Sequence, residues 1–371
     1  MIAFDRRLLT HMNWGLLLIT ILLFGIGVLN LYSASAFMSQ EGMAVTAYYQ
    51  KQLVWGIIGF GILILSILID YRHLKSLAWP IFIITIITLI LVPIAGKTIY
   101  GARRWLDLGF FNFQPSELAK ISTIIITARL LARSSHPLDW KELFIMLGIC
   151  SIPAALILIQ PDLGTTLNML LNVGGIILYR GLTRRVFKTC AILIPSLVPV
   201  GWLCMLDYQR QRVLTFLNPG DDPLGAGYQI IQSQIAIGSG QITGKGFLGG
   251  TQSQLRFLPE KHTDFAIAVF GEEWGFIGCL LLLSLFCLFL LAIFTTSRDA
   301  KDRFGSFLSA GVFFYFFWQF LINMGMVMGL MPVVGIPLPF ISYGGSATVV
   351  NLCLIGLVLN VSMRRFVFKT D

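Results

Sequence analysis

Charged side chains are scarce in this chain. Asp and Glu number 18 and Lys and Arg 27, 12% of 371 residues, against 56% apolar residues and a mean hydropathy of +0.80. A water-soluble domain carries about a quarter charged residues, so that class is excluded and a bilayer-embedded chain is left. Histidine is scarcer still, with four residues (His11, His73, His136 and His262) scattered along the chain. The six cysteines, Cys150, Cys190, Cys204, Cys279, Cys287 and Cys353, fall in or at the ends of apolar runs without paired metal-ligand spacing. Neither a disulfide framework nor a metal cluster is implied. Repeats of roughly 20–50 residues are missing, as are two halves of the inverted kind found in many transporters. The excess of positive charge, +9, is spread through short loops between apolar runs, which argues for anchoring of membrane spans and against nucleic-acid binding.

What is present is a series of apolar stretches near the ~20 residues that cross a bilayer. Ten are read, at about 14–34, 53–70, 77–95, 116–133, 143–160, 163–180, 187–206, 265–295, 306–331 and 340–363. The expected fold is therefore all-α and polytopic. Residues 1–371 form a single ten-span membrane domain, with a large extracytoplasmic loop, 207–264, between spans seven and eight. The first run, Trp14 to about Leu31, is longer than the roughly 7 to 15 residues of a signal-peptide core and is read as an uncleaved span.

Basic residues set the orientation. With both termini cytoplasmic, 17 of the 27 Lys and Arg fall on the inner side, among them Arg6, Arg7, Arg72, Arg129, Arg180, Arg184, Arg303, Arg364 and Lys369. The outer exceptions gather in two loops. Lys97, Arg103, Arg104 and Lys120 lie in or beside one, and Arg210, Arg212, Lys245, Arg256 and Lys261 lie in 207–264. Exceptions to a topological rule are where function is sought.

Four polar clusters stand out. Gly101-Ala102-Arg103-Arg104-Trp105-Leu106-Asp107 precedes Gln114-Pro115-Ser116-Glu117-Leu118-Ala119-Lys120, where Glu117 and Lys120 are i,i+3 neighbours at the start of a span. They form either a local ion pair or, since ionisable groups at membrane depth are costly, a lining of the bundle interior. Gln160-Pro161-Asp162 opens span six, Asp162 favouring the helix dipole or serving a site, with Asn168 and Asn172 read as interhelical hydrogen-bonding glue. The long loop carries Arg210 and Arg212, an amphipathic stretch at 229–237 expected on the membrane surface, and the glycine pairs around Ser239 and Lys245. Those glycines are turns or points of approach for a phosphate, though not a P-loop, whose spacing is missing. The loop closes on Phe257-Leu258-Pro259-Glu260-Lys261-His262-Thr263-Asp264-Phe265, and Glu272 and Glu273 extend that acidic patch into span eight. Last, Pro332 to Ser346, including Ser342, breaks the helical pattern with three prolines and three glycines, as a wall for a headgroup site or a re-entrant turn.

In order, Gln-Pro-Ser-Glu-Leu-Ala-Lys, Gln-Pro-Asp-Leu-Gly-Thr, Gly-Tyr-Gln-Ile-Ile-Gln-Ser, Leu-Pro-Glu-Lys-His-Thr-Asp-Phe and Pro-Phe-Ile-Ser-Tyr-Gly-Gly-Ser resemble the SEDS (shape, elongation, division, sporulation) family over nearly the whole chain. Gly249-Gly250-Thr251-Gln252-Ser253-Gln254 is similar to its rod-shape branch more than to its division branch. The resemblance implies a bacterial inner-membrane peptidoglycan glycosyltransferase that polymerises lipid II on the outer face during cell elongation. It also implies a class B penicillin-binding protein as transpeptidase partner, beside other membrane proteins of the elongation complex. Asp264 is then the essential acidic residue, and Glu117 and Lys120 belong to the same cavity. Asp162 and Arg210 carry over beside them.

That reaction needs one base and positive charge for a pyrophosphate leaving group. Asp264 is the candidate base. Arg103, Arg104, Arg210, Arg212 and Lys120 are candidate pyrophosphate partners, and Glu260, His262 and Ser342 candidate substrate contacts. Alternatively a Mg²⁺ or Mn²⁺ carries the pyrophosphate charge and Asp264 is its ligand. A flippase for the lipid-linked precursor and a non-enzymatic scaffold are the competing readings.

Overall fold

The computed structural model describes residues 10–40, 48–99, 102–107, 109, 112–222, 225–254 and 260–365. Arg6, Arg7, Gly101, Arg256, Phe257, Leu258, Pro259 and Lys369, singled out above, lie outside the described residues.

Helical segments stand at all ten expected spans: α1 (Trp14–Gln40), α2 (Tyr48–Leu68), α3 (Arg72–Ala95), α4 (Pro115–Leu131), α5 (Trp140–Ile159), α6 (Leu163–Arg180), α7 (Arg184–Ser196) continued by α8 (Val198–Cys204), α12 (Ala266–Asp299), α13 (Arg303–Val327) and α14 (Gly345–Met363). Eight of these spans are long and apolar enough to cross a membrane. The other two, α4 and α6, are short, and they carry the polar residues Ser116, Glu117, Lys120, Asn168 and Asn172 inside the bundle. Polar groups that lipid would reject are thus surrounded by protein. By contrast α7 buries only Val186 among its described residues and presents apolar side chains outward.

Two differences from the sequence expectation follow from the connections. The fold is not wholly α. Lys97–Ile99 (β1), Ala102–Asp107 (β2) and Asn112–Phe113 (β3) form a small antiparallel sheet in the order β1-β2-β3. The described residues of the loop 207–264 include three helices, α9 (Asp207–Leu217), α10 (Ala226–Ser239) and the single turn α11 (Thr251–Gln254). The stretch 229–237 lies within α10 but not simply on the membrane surface. Ile230, Ser233 and Ala236 are buried against α12 and α13, and Ser233 Oγ donates to Val327 O at 2.8 Å.

Bundle packing is closest where side chains are smallest. A Cβ on Gly356 of α14 would lie 2.7 Å from Leu63 O of α2, so glycine sets that approach. The core continues through Phe286, Phe289, Phe316 and Phe340, with ring centroids 5.0–5.7 Å apart between Phe289, Phe316 and Phe340.

The chain breaks α12 at Gly275, whose φ is 62°. Segment 240–246 of the long loop fills the break. Lys245 N donates to Glu272 O (3.1 Å), Gly246 N to Glu273 O (3.0 Å), and Phe276 N to Gln241 O (2.8 Å). Backbone groups freed by a kink at membrane depth need such partners. Gly240 and Gly244 are glycines because a Cβ on either would come within 2.1 Å of a carbonyl oxygen of α12. They serve this docking, in line with the turn reading of the two given for them. Glu272 belongs to the same joint and does not extend an acidic patch toward Asp264. Its Oε1 accepts from Lys245 Nζ (2.7 Å), Thr251 Oγ1 (3.0 Å) and Gln252 N (2.9 Å). Glu273 accepts from Ser33 Oγ on α1.

Candidate active site

The N-terminal ends of α4, α6 and α14 meet the turn before α12 and the irregular segment between α13 and α14. They enclose a cavity of about 190 Å³, lined by Arg104, Gln114, Glu117, Lys120, Asp162, Thr165, Asn168, Thr263, Asp264, Gln319, Gly335, Pro337, Tyr343 and Ser346, among others.

Each charged group has a local cause. Pro115 starts α4 at its first position, where a missing N–H costs nothing, and so directs Glu117 and Lys120 down one face. Lys120 Nζ donates to Glu117 Oε1 at 2.7 Å with both side chains buried, and it lies 5.5 Å from the Tyr315 ring centroid. Glu117 Oε2 has no hydrogen-bond partner among the described residues. Asp162 caps α6, accepting from Thr165 N (3.2 Å) and Thr165 Oγ1 (2.9 Å). It is therefore both a helix cap and part of the cavity lining. Arg104, on β2, donates from Nε to Gln160 O (3.1 Å) and from Nη2 to Pro161 O. Three of its five N–H groups remain.

Asp264 enters from the turn before α12. Asn323 of α13 fixes its backbone by donating to Asp264 O (2.9 Å) and to Ile336 O (2.8 Å), which ties the turn to the irregular segment. Burial pushes the Asp264 carboxyl up to about 6, the Glu260 charge adds to the rise, and Arg212 opposes it. Protein hydrogen bonds to that carboxylate are absent among the described residues.

The other expected site residues are placed differently. Arg212 acts on Asp264 by charge without lining the cavity. Arg103 is exposed and donates to Thr98 Oγ1 (3.3 Å), while Arg210 donates to Trp202 O (3.2 Å) and Leu203 O (2.7 Å). Glu260 is exposed and accepts from Thr263 Oγ1 (2.9 Å). His262 stacks on Tyr48 with centroids 4.4 Å apart, and its backbone O accepts from Tyr343 N (2.8 Å). Burial, and then Lys261, lowers the His262 ring to about 4, so it is neutral at neutral pH. Ser342 closes a turn, its Oγ accepting from Leu338 N at 2.9 Å. Arg103, Arg210, Glu260, His262 and Ser342 thus surround the cavity or sit apart from it rather than line it.

Among the lining residues that escaped the sequence reading as site residues are Asn168 and Gln319. Asn168 sits one turn beyond Thr165 on the face of Asp162. That spacing is the signal that could have found it.

A family model described as a cell cycle protein (FtsW/RodA/SpoVE) matches residues 14–366. The peptidoglycan glycosyltransferase MrdB of Escherichia coli is 41% identical over 337 residues, covering 90% of each chain. A probable peptidoglycan glycosyltransferase FtsW of a Geobacter species is 38% identical over 357 residues, covering 94% of this chain and 96% of the relative. Among solved structures, a chain from work on coordination of polymerization and crosslinking by a peptidoglycan synthase complex superimposes with a TM-score of 0.81 at 31% identity, over 96% of this chain and 98% of that one. The rod shape determining protein RodA of Thermus thermophilus gives a TM-score of 0.70 at 27% identity, over 96% and 98%.

Proposed function

We propose how the cavity works from one premise: the chain belongs to the FtsW/RodA/SpoVE family of cell cycle proteins and is a multi-pass membrane peptidoglycan glycosyltransferase. The substrate is lipid II, whose polyprenyl tail stays in the bilayer while its disaccharide and pyrophosphate reach the cavity. Asp264 takes the proton from the acceptor sugar hydroxyl. That oxygen bonds to the anomeric carbon of the donor as the bond from that carbon to pyrophosphate breaks, inverting the centre and releasing polyprenyl pyrophosphate. Arg104 and Lys120 face the leaving charge, arginine through its remaining planar donors. Glu117 holds Lys120 in place.

The observation that carries this reading is Asp264, a carboxylate raised to about 6 by its surroundings and free of protein hydrogen bonds among the described residues, in one cavity with Arg104 and the Glu117–Lys120 pair. A base works best when its pKa lies near the working pH.

A divalent cation would be held through few protein ligands. Among the described residues no group of three or more His, Cys, Asp or Glu side chains converges. Asp162 is engaged with Thr165 and Glu117 Oε1 with Lys120, which leaves Asp264 as the ligand, with Glu117 Oε2 the other unpaired carboxylate oxygen of the lining. Mg²⁺ is commonly held by one or two carboxylates plus substrate phosphates. Such an ion would supply charge for the departing pyrophosphate.

The cavity lies at the end of the bundle opposite Arg72, Arg129, Arg180, Arg303 and Arg364, which supports an extracytoplasmic site and cytoplasmic termini by the positive-inside rule. A class B penicillin-binding protein as crosslinking partner is supported by the relative found in a synthase complex. Elongation, rather than division, is the process we assign.

The test is polymerisation of lipid II by purified protein with its partner, with and without divalent cation and chelator. Wild type makes glycan and Asp264→Asn makes none while remaining folded. Undiminished polymer from that variant overturns the base assignment. Lipid flipping without polymerisation moves the protein to the flippase reading, and retention of cell shape by Asp264→Asn in cells moves it to the scaffold reading.

A further inference from the structure

Asn168 is 2% exposed, in the second turn of α6, and both atoms of its amide head lack a hydrogen-bond partner among the described residues. Its neighbour Asn172 behaves as interhelical glue, donating from Nδ2 to Gly311 O at 2.9 Å. Asn168 makes no such bond. It stands where the polar cavity narrows into a slot lined by Lys120, Thr123, Ile124, Met169 and Tyr315, and that slot is too narrow for a water molecule. Partners for the amide must therefore come from the cavity side, which Asn168 also lines.

A buried polar group with no partner is costly, and such groups persist where a ligand or ordered water completes them. Most of the other polar groups around Asn168 are engaged, Asn172 Oδ1 and Glu117 Oε2 being without a partner among the described residues. Lys120 is paired with Glu117, Thr123 Oγ1 is 3.4 Å from Met169 Sδ, and Tyr315 donates to Asn351 Oδ1 at 2.8 Å. Asn168 alone among them offers an unpaired neutral donor and acceptor on one side chain. A secondary amide presents the complementary pair, N–H beside C=O. The reaction proposed above supplies that group as the acetamido substituent of an N-acetylated amino sugar.

We propose that Asn168 is a specificity residue, pairing from the floor of the cavity with the acetamido group of the bound sugar. The proposal rests on the glycosyltransferase reading. It predicts discrimination against substrates lacking the amide, because a site built to hydrogen-bond a group leaves its own buried polar atoms unpaired when that group is missing.

The experiment uses the full chain in nanodiscs with its partner. KM and kcat are measured for the lipid-linked disaccharide and for an analogue carrying hydroxyl in place of acetamido on the donor or the acceptor sugar. Asn168→Leu, which keeps the shape and removes both polar atoms, raises KM for the natural substrate about tenfold with kcat within about twofold. The analogue that lacks the recognised amide is handled alike by wild type and variant, which also identifies the sugar. Asn168→Ala gives the same pattern if leucine overpacks the slot. Substrate-induced thermal stabilisation is read in parallel and needs no turnover: it is large for wild type and reduced in both variants. Equal KM and equal stabilisation in wild type and variants, with polymerisation intact, overturns the inference and spares the glycosyltransferase reading. Wild type that is stabilised by substrate yet makes no polymer overturns that reading instead, and the loss of stabilisation in the variants still supports the amide contact.

Discussion

Gly335 leaves the space that the Asp264 carboxylate uses: a Cβ on Gly335 would lie 3.4 Å from Asp264 Oδ2, and the glycine has a φ of 73°. Contact alone at that distance is ordinary, but the left-handed backbone costs an L side chain roughly 1–2 kcal/mol. Gly335→Ala is expected to lose about that much stability by denaturant titration. Its polymerisation kcat should fall more than stability explains, because the Ile336 carbonyl beside Gly335 shares Asn323 with the Asp264 backbone. Unchanged kcat would show that the wall does not position the carboxylate.

Asp264 also sets a pH dependence. With its carboxyl raised to about 6, the basic form is lost as pH falls through that value, so the acidic limb of the polymerisation profile is expected near pH 6. A profile flat from pH 5 to 8 would remove Asp264 from the role of base.

The same shift carries a stability consequence of opposite sense to the activity. A carboxyl near 6 when folded and near ~3.9 when unfolded favours folding below the lower value and loses that advantage as pH rises through the upper one. Asp264→Asn should therefore be inactive yet more stable than wild type above about pH 6, by roughly 1–3 kcal/mol, with the difference vanishing below about pH 4. Thermal unfolding of both proteins at pH 4 and pH 8 checks this.

The ten spans were legible because a long apolar run has few alternatives in a chain so poor in charge. Asp264, Glu117, Lys120, Asp162 and Arg104 were legible because polar residues beside such runs need a reason to be there, and the folded bundle gathers all five in one cavity. The dockings that span many residues were not legible. Glu272 looked like a continuation of the Asp264 patch along one helix, whereas the break at Gly275 turns it to Lys245. Arg210 looked like a phosphate partner, but its guanidinium caps the end of α8 through the carbonyls of Trp202 and Leu203. Neither outcome is encoded in local spacing. Both depend on where backbone groups lose their own partners.

The Glu117–Lys120 pair separates structure from chemistry. Both side chains are buried, so Lys120→Met leaves an uncompensated carboxylate, and a loss of roughly 3–5 kcal/mol is expected. The double variant Glu117→Gln/Lys120→Met removes both charges and should recover most of that stability. Polymerisation should not recover with it, because the positive charge facing the leaving group is still missing. Recovery of activity in the double variant, measured against its thermal unfolding, would reduce the pair to a structural bridge.

At the opposite end of the bundle Asn360 stabilises without touching the site. Its Nδ2 donates to Ser66 O (2.6 Å), Ile67 O (3.1 Å) and Ile69 O, and its Oδ1 accepts from Tyr71 N (3.3 Å) and from Arg364. The carbonyls at the end of α2 have no helical partners of their own, and a fully buried amide supplies them. Asn360→Leu keeps the volume but strands those carbonyls and one N–H, and since each unpaired buried group costs about 1–3 kcal/mol, a total loss of roughly 3 kcal/mol or more is expected. Unfolding measurements should show that loss while kcat per folded molecule stays near wild type, because the cavity is formed at the other end of the same helices. A fall in kcat without a fall in stability would instead mean that the two ends of the bundle are coupled.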